Sequence, residues 1–270
     1  MVMLGAAGLL VLGGLAGVSV LLSGVMSTAA TKQHLAITHR ILDLGLGYSV
    51  RANADGITVP RLDDTALIAE GLACYQRHCK DCHGAPGIAP GPAALGMMPV
   101  PTNLAGVASQ EPEWLYYVTR KGVRMTGMPA WEFRLDDRRL WAVVAFLKTL
   151  PGLSAAEYGH RADAVGSRGC ESRADDHPPP IADGEVILRQ YACHSCHVIQ
   201  GVVGPQIHVG PALEHWPMRG TIAGRLPNTK ENLVRFIRAP QAHVAGSLMP
   251  DLGVTEADAR LMADFLFAQR

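Results

Sequence analysis

Apolar residues dominate the chain from Val2 to Met26, inside a stretch of residues 1 to 31 that carries no charged side chain. At about 25 residues this run has the length of a transmembrane helix. It lacks the basic start and the shorter apolar core of a cleaved signal peptide, although Ser27-Thr28-Ala29-Ala30 imitates a cleavage site. Next, His34 to Leu42 spaces its apolar positions as a helix does, predicting a stalk that ends near Gly56 and Pro60. Two later stretches then repeat one order of elements. Gly71 to His78 and Gly184 to Ala192 place apolar residues three and four apart and run into Cys79 and Cys193. Each is followed by a Gly/Pro-rich stretch without periodicity, residues 84 to 104 and 198 to 213, and then by a helical run near 111 to 122 and 229 to 238. Met128-Pro129 and Met249-Pro250 come next, and each half closes on an amphipathic helix, Asp136 to Leu150 and Thr255 to Gln269. This is an internal duplication. The intervening segment holds Gly166, Asp175-Asp176 and Pro178-Pro179-Pro180, a composition suited to a spacer. The expected organisation is a signal anchor at 1–31, a stalk at 32–61, a domain at 62–152, a linker at 153–181 and a second domain at 182–270.

The matched halves share a pentapeptide, Cys79-Lys80-Asp81-Cys82-His83 and Cys193-His194-Ser195-Cys196-His197, with the histidines 114 positions apart (83 to 197). Cys-x-x-Cys-His suits covalent attachment of haem c. Cysteines three apart share one side of a helical turn, where both reach the haem vinyls, and the adjacent histidine projects toward the iron. A lone copy also fits a zinc or redox site; two copies in matched surroundings point to two covalently bound haems.

From these motifs the sequence resembles the class I c-type cytochromes over roughly residues 62 to 270, and more narrowly the membrane-anchored dihaem cytochromes of bacterial respiratory chains. The resemblance implies an all-α fold: two tandem class I cytochrome c domains with an N-terminal transmembrane helix. It implies that Cys79, Cys82, Cys193 and Cys196 bind haem, with His83 and His197 as proximal and Met128 and Met249 as distal iron ligands. Thr126-Gly127-Met128-Pro129-Ala130-Trp131 is similar to the distal loop of many bacterial members. Gly210-Pro211-Ala212-Leu213 is similar to the loop whose proline carbonyl holds the proximal histidine Nδ1–H; in the first half Pro92 and Pro101 are both candidates for that proline.

Competing residues narrow the reading. Met125 lies one turn from Met128, whereas Met97, Met98 and Met218 fall too early, and the Met-Pro junction favours Met128 because proline stiffens the loop. His78 and His194 sit at or within the motifs, where geometry points them away from the iron; His208, His215 and His243 are loop candidates for a bis-histidine alternative. Cys74 takes an apolar helical position, as a buried inert thiol or in a disulfide with Cys170. Arg120, Lys121 and Arg124 form a docking patch for an acidic partner or an ordinary solvated face.

Charge then limits the partners. Lys and Arg total 24 against 24 Asp and Glu, so no basic field invites nucleic acid. A haem with both axial sites filled leaves one-electron transfer rather than catalysis, and thioether ligation raises its potential. The resemblance implies delivery of electrons to a haem–copper terminal oxidase, with an upstream cytochrome or quinol-oxidising complex as donor. A cytochrome subunit of a periplasmic dehydrogenase is the alternative, and a dihaem peroxidase a more distant one that two Met-Pro loops oppose. The expected location is the bacterial cytoplasmic (inner) membrane, single-pass, with the haem domains in the periplasm.

Overall fold

The computed structural model describes residues 2–25, 27–107, 109–166, 170, 184–204 and 209–269. The proline-rich centre of the expected linker and His208 lie outside them. The chain divides into two compact units, Met1–Ser172 and Arg173–Arg270.

The first unit begins with α1, Val2–Leu22, whose side chains are described at Gly8 and from residue 11 onward. Among the described residues no helix is long and apolar enough to cross a membrane. This overturns the expected N-terminal transmembrane helix, and with it the single-pass inner-membrane location. The expected stalk is helix α2, Ala36–Ala54, and it is no free spacer: Val50 and Ala54 are buried, and its neighbour is α6.

Helix α3, Thr65–His78, is capped by the Asp64 carboxylate and leads through Cys79 into a single turn, α4, Lys80–His83. After α5, Leu104–Val107, comes α6, Pro112–Lys121, with proline at its first position. Helix α7, Asp137–Thr149, is capped by Asp136, whose side chain accepts from the Arg139 N–H. Helices α3 and α7 cross closely because Gly71 has no side chain: a Cβ there would stand 1.9 Å from the Ala142 carbonyl oxygen. Around the crossing lies the core, with Leu72, Tyr75, Leu115, Leu140, Val143 and Phe146 all nearly inaccessible. Trp141 stacks on Tyr116 at 4.1 Å and ties α7 to α6.

Residues from 153 onward, expected as spacer, fold back. Ser154 and Glu157 form a capping box at the start of α8, Ala155–Val165. Tyr158 of α8 is fully buried against Phe146. Cys170 is disulfide-bonded to Cys74 of α3, so Cys74 is no free thiol. On a chain-entropy account, closing a loop of 96 residues stabilises the fold by about 4–5 kcal/mol.

The second unit repeats the plan. Helix α9, Gly184–Gln190, runs toward a 3₁₀ turn at Cys193–Ser195. A two-stranded antiparallel hairpin, β1 (Thr221–Ile222) and β2 (Leu226–Pro227), is a small departure from the all-α expectation. Helix α10, Lys230–Arg238, is capped by Thr229. A short helix α11, Pro240–His243, precedes α12, Glu256–Ala268, capped by Thr255. Gly184 does here what Gly71 does in the first unit: its Cβ would lie 2.4 Å from the Leu261 carbonyl oxygen and 2.5 Å from Phe265 Cβ. The crossing of α9 and α12 buries Ile187, Leu188, Met262 and Leu266.

Candidate functional site

Each crossing ends where a pentapeptide begins. In the first unit Cys79 follows α3 and is buried in the core cluster, while Cys82 is half-buried. In the second, Cys193 packs against the apolar cluster that also receives Met249. All four motif cysteines are unpaired, since the disulfide uses Cys74 and Cys170. Burial pushes the Cys79 thiol up to about 12 and the Cys193 thiol to about 11. Both are therefore thiols rather than thiolates at pH 7. No group of three or more His, Cys, Asp or Glu side chains suited to a metal ion exists among the described residues.

The motif histidines are held alike. His83 Nδ1 lies 2.7 Å from the Thr102 carbonyl oxygen, and His197 Nδ1 lies 2.7 Å from that of Pro211. Each Nδ1–H donates to its carbonyl, leaving Nε2 with its lone pair free to ligate. Burial holds the His83 ring below its ordinary pKa, against the opposing pull of the Thr102 carbonyl. In the second unit the carbonyl belongs to Pro211, as the loop resemblance implied. In the first it belongs neither to Pro92 nor to Pro101 but to Thr102, because the return loop spans 19 residues rather than 14. Gly210 passes directly beneath the imidazole: a Cβ there would lie 2.4 Å from His197 Cε1.

The two Met-Pro loops are also fixed by the backbone. Met128 is half-buried; its N–H donates to Thr126 Oγ1 at 3.0 Å and its carbonyl accepts from Val123 N–H at 3.2 Å. Gly122, at φ +65°, presses against this loop, where a Cβ would stand 2.7 Å from the Met128 carbonyl oxygen. Met125, the rival sulfur, points into solvent at 90% exposure. Met97, set aside as too early, has its thioether against Gly127, since a Cβ there would lie 3.0 Å from Met97 Sδ. In the second unit Met249 N–H donates to Ser247 Oγ at 3.3 Å, and the Met249 carbonyl accepts from Gln241 Nε2 at 2.5 Å.

Charge near the first Met-Pro loop is largely internal. Arg120 Nε and Lys121 Nζ both bond the Glu132 carboxylate at 2.9 Å. Two of the three basic residues thus share a single carboxylate within the protein.

Two residues unmarked in the sequence pair with each other in the second unit, Trp216 within its apolar cluster. Trp216, 5% exposed, carries a buried Nε1–H without a partner, and the Arg219 guanidinium lies over its ring at 5.0 Å. A buried donor without an acceptor is costly, and indole plus guanidinium fits a carboxylate such as a haem propionate. Apolar crevice, unpaired thiols, oriented imidazoles and an orphaned donor all suit a porphyrin. The sequence signal was a lone tryptophan in the return loop, whose N–H must find a partner when buried.

Residues 66–147 match the family described as cytochrome c oxidase, cbb3-type, subunit III. A curated relative, cytochrome c oxidase subunit 2 of Alkalihalophilus pseudofirmus, is 36% identical over 67 residues, which are 25% of this chain and 19% of that protein. The chain thus spans about a fifth of the length of that relative. No solved structure matches. Residues 66–147 thus form a domain of the cytochrome c kind, which implies covalently bound haem c and points to electron transfer.

Proposed function

We propose that the protein is a dihaem electron carrier of a respiratory chain, with one haem-binding domain at residues 62–152 and another at 182–270. Cys79 and Cys82 hold one haem c by thioether bonds, and Cys193 and Cys196 hold the other. His83 and His197 are the proximal iron ligands, and Met128 and Met249 the distal ones. The observation that carries this reading is the equivalent setting of both motif histidines, each with Nδ1 on a backbone carbonyl at 2.7 Å.

Haem c, when bound, supplies one-electron exchange between ferric and ferrous iron. The chain's own residues do the rest. The Thr102 and Pro211 carbonyls fix the tautomer and ring plane of each imidazole. A thioether donor favours the ferrous state and so raises the potential. The apolar clusters beside Cys79 and Cys193 would keep water from a haem bound there. Trp216 and Arg219 would offer donors to a carboxylate of that group in the second domain. With a histidine and a methionine both ligating, no position would remain for substrate, which sets this reading apart from a peroxidase.

The likeness of the first domain to a subunit III of cytochrome c oxidase, and of part of the chain to a subunit 2, favours a terminal oxidase as electron acceptor. The test has two parts. Denatured mass should show two haem additions that survive acid–acetone extraction, and each Cys pair changed to Ala should remove one. A single addition in the intact protein would defeat the dihaem reading. The reduced protein should then be oxidised by a haem–copper oxidase; reduction by a periplasmic dehydrogenase without oxidation by the oxidase would favour the dehydrogenase-subunit alternative.

A further inference from the structure

His78 is the last residue of α3, directly before the first attachment cysteine. Its ring centroid lies 5.0 Å from that of Trp131, with the planes at 50°. Trp131 opens the 3₁₀ turn that follows Met128-Pro129-Ala130. The Cys170 main chain faces the imidazole, whose Nε2 is buried with no partner. Cys170 is itself bonded to Cys74, on the preceding turn of α3. The contacts thus run from the disulfide, through Cys170 and His78, to Trp131 and the Met128 loop.

We propose that His78 is a positioning residue for the distal ligand of the first domain: braced by the disulfide-anchored main chain of Cys170, it seats Trp131 and thereby Met128. The proposal rests on the assignment of Met128 as a ligand and goes beyond it by naming what holds that ligand in place. A thioether is a weak donor, so its bond to iron depends on a loop that does not drift. An imidazole buried with one nitrogen unpartnered gives up solvation. What it gains is a fixed place between the Cys170 main chain and the Trp131 indole. The disulfide serves as a staple rather than a switch, because Cys74 and Cys170 are both 0% exposed and an attacking thiolate has no path to either sulfur. The second domain has none of this. Ala192 occupies the position before Cys193, and Leu252, 43% exposed, stands three residues after Met249, where the first domain has Trp131. One molecule therefore carries its own control.

The experiment uses the full haem-loaded chain and titrates added imidazole against the ferric methionine–iron charge-transfer band, with both reduction potentials measured alongside. In His78→Ala, about tenfold less imidazole should displace the methionine from one haem, whose potential falls while the other haem is unchanged. Cys74→Ser/Cys170→Ser should shift the same haem in the same direction. His78→Gln, which keeps a planar polar side chain beside Cys170 and Trp131, should shift it less than half as far. Should His78→Ala fail to load its haem, the Gln and disulfide variants carry the test. Unchanged titrations and potentials, or equal shifts at both haems, would overturn the proposal. Absence of a methionine band for one haem in the unaltered protein would instead remove the ligand assignment, and this proposal with it.

Discussion

Met125, Met128 and Met97 show how residue identity and residue placement separate. All three are thioethers near one loop, yet Met125 is 90% exposed whereas Met128 is half-buried and bonded at both backbone ends. The choice between Met125 and Met128 rested in the sequence on the proline after Met128. Met97 had been set aside for its early position, but a loop that folds back across Gly127 brings its sulfur close. We expect Met128→Ala to abolish one methionine–iron band and lower one potential, while Met125→Ala and Met97→Leu leave both bands intact. Loss of a band in either of the latter variants would move the distal assignment to that residue. The Thr102 carbonyl and the Trp216 indole were not legible beforehand for a related reason. A backbone carbonyl has no letter of its own, and an orphaned N–H becomes visible only once burial is known.

Among the elements, the helix crossings carry the most information. Helix propensity alone says that Gly→Ala in α3 or α9 stabilises the protein by up to about 1 kcal/mol. The contact geometry reverses that sign. A Cβ at Gly71 would penetrate the Ala142 carbonyl, and one at Gly184 would meet backbone and Phe265 together. Overpacking of this kind costs about 1–3 kcal/mol or more. We expect Gly71→Ala and Gly184→Ala each to destabilise its own unit by at least about 2 kcal/mol in urea unfolding. Gly159→Ala in α8, where nothing lies within 4 Å, is the contrasting case and should be neutral or slightly stabilising. Equal effects at all three positions would refute the crossing argument. Helix limits followed the sequence closely where a side-chain cap sets them, as at Asp136, Thr229 and Thr255. They failed for α8, whose residues look like spacer until Tyr158 is seen packed against Phe146.

At the scale of the whole molecule, each unit has its own core, and pH should act on them through different groups. In the first unit burial, with Arg77 and Arg134 nearby, holds His78 below its ordinary pKa, opposed by the Cys170 main chain. The unfolded chain, with His at about 6.5, then binds more protons than the folded one at lower pH. Stability from this group is complete above about pH 6.5 and is lost as pH falls below it. We expect the first unit's unfolding midpoint to decline through that window in the native protein and to decline less in His78→Gln. The comparison is made by thermal unfolding across pH 5 to 8. An identical decline in both proteins would assign the effect to other groups.

The sequence by itself determined the repeated order of elements, the two Cys-x-x-Cys-His pentapeptides, the Met-Pro loops and the capped helix ends. These depend on local spacing and chain chemistry, which are read along one dimension. The tertiary structure decided what depends on pairs of distant residues. It chose Thr102 over two prolines because loop length, not composition, sets which carbonyl reaches His83. It joined Cys74 to Cys170 across 96 residues and turned Arg120 and Lys121 inward to Glu132. It also corrected the N-terminal segment. Among the described residues no helix is long and apolar enough to cross a membrane.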